Sequence, residues 1–339
     1  MPNETSPTIK EKAPLILAEI KKAKSILLHC HPLPDPDSIG SALAMKFALE
    51  QMGKKATVIK GDSEFPQAFM HFPGASAIVQ RNFFEVDLKD FDLFIIVDCG
   101  SLEMVSSKKK VEFPESLRTI VIDHHVSNNG FGNINLIDTT SAATTFVLFQ
   151  LFKEWEIEIT QPIAMNLLIG MYTDTGGFKY IPTDYRTLEA AAECAKIAPY
   201  FNKEIFVMEN SETKESVYFK ALALNSIKID CGGNLAMAIV SYDDLKENNI
   251  PDEAIRGDEI SNILKSVVEW NITVSIVERQ PNIIKLSFRT RDKEKFDVSR
   301  IAVALGGGGH RAAAGACLRM PLQKVKDIVV SKVKELYNL

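Results

Sequence analysis

Through its first half the chain alternates short apolar, β-branched runs with stretches whose apolar residues recur at helical spacing. Residues 25–30, 56–60, 93–98 and 118–123 read as strands, each bounded by turn or polar residues. Residues 39–51, halted by Gly53, read as a helix, as do 141–152 and 163–172. This alternation predicts an α/β fold, a mostly parallel sheet flanked by helices on both faces. In such sheets ligands bind beyond the carboxyl ends of the strands, which draws attention to the polar residues that follow them. From about 184 to 219 the pattern turns helical and polar with no Gly-rich linker. Strands are then expected at 234–241, 273–278 and 282–289 and helices near 258–268, 298–305 and 322–336. These form a smaller α/β domain with a mixed sheet. The resulting division is a first domain at residues 1–185, a helical connector at 186–220 and a second domain at 221–339.

Composition narrows the class. A chain of 339 residues with 46% hydrophobic and 24% charged side chains is globular rather than disordered or fibrous, and long enough for two domains. Its net charge of −5 argues against an extended basic surface for nucleic acid, though it says nothing of a local patch. Apolar runs such as Phe94-Ile95-Ile96-Val97 fall far short of the roughly 20 residues a membrane-spanning helix needs. The start, Met1-Pro2-Asn3-Glu4-Thr5, lacks the basic and apolar regions of an export signal. The five cysteines show no zinc-binding spacing, so reduced thiols in a cytoplasm are expected.

The chemistry gathers after the strands. The first ends in His31-Pro32-Leu33-Pro34-Asp35-Pro36-Asp37, a turn stiffened by the prolines on either side of Asp35. The plain alternative is that Asp37 or Ser38 caps the following helix. Asp98 leaves the third strand, and the fourth runs into Asp123-His124-His125. Within a strand, adjacent histidines would point to opposite faces, so packing explains the pair poorly. Asp174 lies just past a predicted helix end, where a carboxylate opposes the helix dipole. His31, Asp35, Asp37, Asp98, His124 and Asp174 supply oxygen and nitrogen donors without thiolate, a set suited to manganese or magnesium. Four carboxylates balance two divalent ions, and such a pair can clamp the oxygens of a phosphoryl displacement. His29 reads as packing near a strand end.

Taken in order, these motifs resemble the DHH phosphoesterase superfamily. Gly306-Gly307-Gly308-Gly309-His310-Arg311-Ala312-Ala313-Ala314-Gly315 resembles the signature of its DHHA1 substrate-binding domain. Size and layout look most like the nanoRNase branch, bifunctional oligoribonucleases and pAp-phosphatases. The resemblance implies two divalent ions, manganese above all. His31 and Asp35 would hold one; Asp37, His124 and Asp174 the other; Asp98 would bridge both. His125 would contact the scissile phosphate and Asp123 would orient the histidines, which makes Asp98, His124 and His125 the catalytic residues. Two departures stand out: Pro36 where a glycine is common, and Ala142-Ala143 where many relatives carry serines.

Residues 281–311 carry seven basic and three acidic residues, a local +4 beside the glycine run. A charge run alone is usually a solvated face, but glycines permit close approach of a ligand. In the family, Arg289 and His310 would grip phosphate and base or sugar groups, with Gly308 and Gly309 lining the contact. The two sites would face each other across a cleft and measure substrate length. Phe288 could stack a base, although its alternation favours the core. The resemblance thus implies a manganese-dependent phosphodiesterase acting on short single-stranded RNA, dinucleotides and nucleotide phosphates, 3′-phosphoadenosine 5′-phosphate among them. Long nucleic acid and membrane are not expected partners, and a homodimer stays open. Cyclic di-AMP or its linear dinucleotide product is the alternative substrate, and a non-catalytic nucleotide-binding regulator the alternative of another class. An inorganic pyrophosphatase fits less well, since those relatives lack the Gly-His signature.

Overall fold

The computed structural model describes residues 5–339, the side chain of Gln67 excepted; the polar segment 1–4, on which the export-signal reading rests, lies outside them. Two compact units divide between Ser211 and Glu212.

In the first unit, α1 (Pro7–Lys22), β1 (Ser25–His29), α2 (Pro36–Gln51), β2 (Lys55–Ile59), β3 (Leu93–Val97), β4 (Arg118–Asp123), β5 (Ile134–Ile137), α3 (Thr144–Glu154), α4 (Gln161–Asp174), α5 (Tyr185–Ile197) and α6 (Phe201–Glu209) follow in order. The five strands are all parallel, in the order β2-β1-β3-β4-β5. Strand residues are buried on both faces, as parallel sheets require. Ile26, Leu28, Ile95, Val97, Ile120 and Ile122 join one core with α1 to α5. Leu27, Phe94, Ile96 and Val121 face the other way, onto Phe83, Val105, Val111 and Leu117. The α-helices thus gather on one face, while short 3-10 turns and loops close the other, where both faces were expected to carry helices. The intervening segments hold too few apolar residues at helical spacing to form longer helices.

The second unit comprises α7 (Lys214–Asn225), β6 (Ile227–Asp230), β7 (Leu235–Val240), α8 (Tyr242–Glu247), α9 (Gly257–Lys265), β8 (Ile272–Gln280), β9 (Ile283–Thr290), α10 (Val298–Ala304), β10 (Gly308–His310), β11 (Ala313–Arg319) and α11 (Leu322–Tyr337). Its mixed sheet has the order β10-β11-β9-β8-β7-β6, antiparallel except for β7 with β8. α10 and α11 bury one face through Val298, Ile301, Val325 and Val329. Phe219 of α7, Leu245 of α8 and Ile260 and Leu264 of α9 cover Ala238, Val240 and Val277 on the other face. The helices predicted as a separate connector are shared out: α5 packs on α4 within the first unit, and α7 on β7 within the second.

Candidate metal centre and ligand groove

The strand order of the first sheet places a topological switch between β1 and β3, where the chain leaves in opposite directions and a crevice opens beyond the strand ends. His31 follows β1 and Asp98 follows β3 at this point. Asp98 adopts a left-handed backbone (φ 57°), a conformation tolerated by aspartate yet uncommon outside glycine and often found at functional sites.

Asp35 is the N-cap of α2, accepting the Ser38 N–H at 2.9 Å, and Pro36 occupies the first helical position. A proline is well suited there because that N–H has no helical partner in any case. The departure at Pro36 therefore fits the local backbone. Neither Asp37 nor Ser38 is the cap, contrary to the plain reading. Ser38 Oγ accepts the His31 N–H at 3.0 Å. Asp37, fully buried, accepts the backbone N–H groups of Thr144 (2.7 Å) and Thr145 (3.0 Å) and the Thr145 hydroxyl (2.5 Å). It thereby caps α3, whose own N-cap, Ala143, offers no side-chain oxygen. α4 comes close because Gly170 lacks a side chain: a Cβ there would stand 2.5 Å from Thr145 Cγ2 and 2.8 Å from Asp37 Oδ1. Asp174 ends that helix.

The donors converge in three overlapping groups, each with ligand atoms within 4.8 Å of one another: His31, Asp35 and Asp98; Asp37, His124 and Asp174; and Asp98, His124 and His125. His31 Nε2 lies 3.5 Å from Asp35 Oδ2 and 3.7 Å from Asp98 Oδ2, and His124 Nε2 lies 3.3 Å from Asp174 Oδ2 and 3.8 Å from Asp98 Oδ1. Donors about 2.1 Å from a shared ion stand roughly 3.0–3.5 Å apart, so these separations suit metal coordination. β4 ends at Asp123, and both histidines lie in the loop beyond it, free of strand alternation; their ring centroids are 4.5 Å apart. His125 Nδ1 is 2.7 Å from Asp123 Oδ1, whose second oxygen accepts from Asn128 Nδ2 at 2.7 Å. Thr144 Oγ1 donates to Asp98 Oδ1 at 3.0 Å. Thr145 and Asn128 carry no signal in the sequence, since hydroxyls and amides that hold ligands follow no spacing of their own.

Electrostatics mark the same residues. Burial, followed by the charges of Asp37 and Asp35, lifts Asp98 well above the ordinary carboxyl range. The same causes lift Asp174 to about 8. Burial also raises Asp37, against the pull of His124. At Asp35 burial pushes upward, but His31 and the N–H groups of Ser38 and Asp37 hold the carboxyl low. Burial would depress His125, but the Asp123 bond and charge raise it instead. A cluster of buried like charges costs several kcal/mol per ion unless something positive compensates, and two divalent ions would. His29 is a packed side chain, edge-on to Phe94 and held by burial at a pKa of about 4.

In the second unit, a groove of about 710 Å³ runs along β9 and β11 beside Asp258 at the start of α9, within the usual range for small-molecule sites. Arg289, Gly308 and Gly309 line it; His310 is exposed on β10 outside the lining. Gly308 has nothing within 4 Å of a Cβ position, so chain packing does not require a glycine there. Burial lowers Lys265, and the neighbouring charges of Arg289 and Arg291 lower it further, although Lys265 and Arg291 lie outside the groove lining. The +4 segment is less uniform than its count suggests, because Arg311 pairs with Glu294 at 3.0 Å and Asp297 at 3.3 Å. Phe288 is fully buried in the core.

The DHH family N-terminal domain matches residues 25–171, and the DHHA1 domain matches residues 232–338. The chain belongs to the DHH/DHHA1 phosphoesterase family. As a member of it, on the nanoRNase branch, the chain is a metal-dependent phosphoesterase. A "Bifunctional oligoribonuclease and PAP phosphatase NrnA" of Thermus thermophilus is 27% identical, with 98% of this chain and 97% of the relative covered. A "Probable bifunctional oligoribonuclease and PAP phosphatase NrnA" of Streptococcus mutans is 27% identical over 89% of this chain and 92% of its own length. Among solved structures, an exopolyphosphatase-related protein from Bacteroides fragilis superposes with a TM-score of 0.84 at 21% identity, covering 97% of this chain and 98% of that one.

Proposed function

We propose that the protein hydrolyses short oligoribonucleotides to mononucleotides and also acts on 3′-phosphoadenosine 5′-phosphate, with manganese as its metal. The observation that carries the reading is the sharing of Asp98 and His124 among the three donor groups, the arrangement expected of two neighbouring ions. The NrnA names of relatives covered nearly end to end supply the substrate class. His31 and Asp35 would hold one ion, Asp37, His124 and Asp174 the second, and Asp98 would serve both; a carboxylate-rich donor set without thiolate suits harder divalent ions such as manganese or magnesium. Metal held there would supply water activation and neutralisation of phosphoryl charge.

The chain's own groups do the positioning. Asp123 orients His125 and keeps its ring protonated to higher pH, so that the exposed edge donates to a phosphoryl oxygen. Thr144 and the N-terminus of α3 hold Asp98 Oδ1 and both oxygens of Asp37 in place. Arg289, Gly308, Gly309 and His310 bind the nucleotide, Arg289 by paired hydrogen bonds to phosphate. The first unit is then the catalytic domain and the second the substrate domain. Five free cysteines, four of them buried, suit a reducing cytoplasm. Among the described residues no helix is long and apolar enough to cross a membrane.

A manganese-supplemented time course on end-labelled RNA of two to ten nucleotides, with 3′-phosphoadenosine 5′-phosphate in parallel, tests the reading. Mononucleotides are expected from the shortest RNAs first. Intact substrates throughout would refute it.

A further inference from the structure

The segment that follows β2 is packed against the loop that carries His31. A Cβ on Gly61 would stand 1.9 Å from the His31 carbonyl oxygen and 2.7 Å from its carbon, so only a glycine lets the two backbones approach this closely. Two residues on, the Ser63 N–H donates to the Pro32 carbonyl at 2.9 Å. Between them, Asp62 reaches a third loop, the one that leaves Asp98. Its carboxylate accepts the Ser106 hydroxyl at 2.8 and 3.0 Å, the Ser107 N–H at 2.7 Å and the Ser107 hydroxyl at 3.1 Å. That loop is folded back on itself: the thiol of Cys99, next to Asp98, donates to the Met104 carbonyl at 3.1 Å, and Cys99, Leu102 and Val105 share one apolar core with Leu27 and Ile59. Ser106 is buried at its edge. Asp62 itself belongs to none of the three donor groups.

We propose that Asp62 is a positioning residue for the metal centre: it fixes the spacing between the loops that carry His31 and Asp98, and so sets the affinity of the ion these two share with Asp35. The inference rests on the two-ion reading above and adds to it a residue outside the donor set. Ligands work only when partners behind them hold them to within about 0.5 Å, and a left-handed aspartate such as Asp98 persists only where its surroundings over-determine it. The other ion's donors lean on different partners, Asp37 on the N-terminus of α3 and His124 on the Ser141 carbonyl at 3.3 Å. Asp98 serves both ions, but Oδ1, the oxygen nearer His124, is held separately by Thr144, while Oδ2 is the one nearer His31. Loss of Asp62 therefore acts on one ion and largely spares the second.

The test titrates manganese calorimetrically into full-length, metal-stripped wild type, Asp62→Ala, Asp62→Asn, Ser106→Ala and the Asp62→Ala/Ser106→Ala double variant. His31→Ala and Asp174→Ala serve as references for the two ions, and each metal-free protein is melted alongside. Asp62→Ala is expected to weaken tenfold or more the ion that His31→Ala abolishes, and less than threefold the ion that Asp174→Ala abolishes. Asp62→Asn, whose amide oxygen still accepts from Ser106 and Ser107, should recover most of the loss. Ser106→Ala should weaken the same ion, and the double variant should be no worse than Asp62→Ala, since both act through one contact. If Asp62→Ala does not fold, Ser106→Ala and Asp62→Asn carry the same selective expectation. Equal weakening of both ions, or none, overturns the inference, as does a double variant that loses the sum of the single effects. When wild type binds two ions, such a result removes only the role of Asp62. Wild type that binds fewer than two overturns the inference and the two-ion reading together. Two ions and the selective loss, with no hydrolysis of short RNA by wild type, remove the proposed activity and leave the role of Asp62 standing.

Discussion

Asp37 Oδ2 accepts the backbone N–H of Thr144 at 2.7 Å, so a candidate metal ligand at the start of α2 is also the cap of α3, 107 residues further along the chain. The hydroxyl of Thr145 adds a 2.5 Å bond to the other oxygen of the same carboxylate. Replacing Thr145 by Val keeps the shape and removes that bond. Loss of an outer hydrogen bond to a ligand typically costs 10- to 100-fold in metal affinity or activity. We expect Thr145→Val to weaken manganese binding within that range, with a stability loss of about 1 kcal/mol. Metal titration and thermal unfolding measure both; wild-type manganese affinity would show that the bond does not position the ligand.

Asp98 is central to the site and is strained, buried and crowded by other carboxylates. Asp98→Asn retains its shape and removes one charge. Turnover should vanish, while the metal-free variant melts at the same temperature as wild type or higher, because like-charge repulsion is relieved. Manganese should then raise its melting temperature far less than it does for wild type. Residual turnover near the wild-type rate would contradict the shared-ligand assignment.

The raised carboxyls also predict a pH dependence of the metal-free protein. Asp174 titrates at about 8 in the folded chain, against an ordinary value of 3.8. The folded state therefore holds more protons than the unfolded state between these limits. Stability from this group is complete below the unfolded value and is lost as pH rises through the folded one. In chelator, Asp174→Asn should gain melting temperature relative to wild type as pH goes from 5 to 8. The stabilisation of wild type by manganese should grow over the same interval, since metal competes with protons. A gap that stays constant or narrows with pH would rule this out.

Asp123 is fully buried and acts through His125. Asp123→Asn keeps the side-chain volume but removes the charge that raises the histidine. The His125 ring should titrate at lower pH by NMR, and kcat should fall about 10- to 100-fold with KM little changed. An unchanged titration would mean that the aspartate serves only to hold the loop.

Much of the architecture was legible because its strands are continuous apolar runs and its ligands follow them directly. The strand at 118–123 and the helix start at Val298 needed no adjustment. α1 was overlooked although Ile9, Ala13, Ile16 and Ile20 repeat at helical spacing, because Pro7 and Pro14 interrupt its sequence. β5 and β10 are too short to show a period, and β10 exists only as a partner of β11. The candidate metal donors are readable as a cluster since carboxylates and imidazoles carry their chemistry in their identity. The cap that Asp37 gives to α3 was not, because hydrogen bonds across 107 residues depend on packing that local sequence does not record. For the same reason the groove surfaced as Arg289 and a glycine run, while Lys285 and Cys317 came together only through the register of β9 with β11.

The six candidate metal donors come from the β1–α2 segment, the ends of β3 and β4 and the end of α4, and all lie between His31 and Asp174, inside a unit that closes at Ser211. Domains emerging from the ribosome generally fold in order of synthesis. The candidate donor set is thus complete before the groove-bearing unit is translated, and needs no residue of that unit.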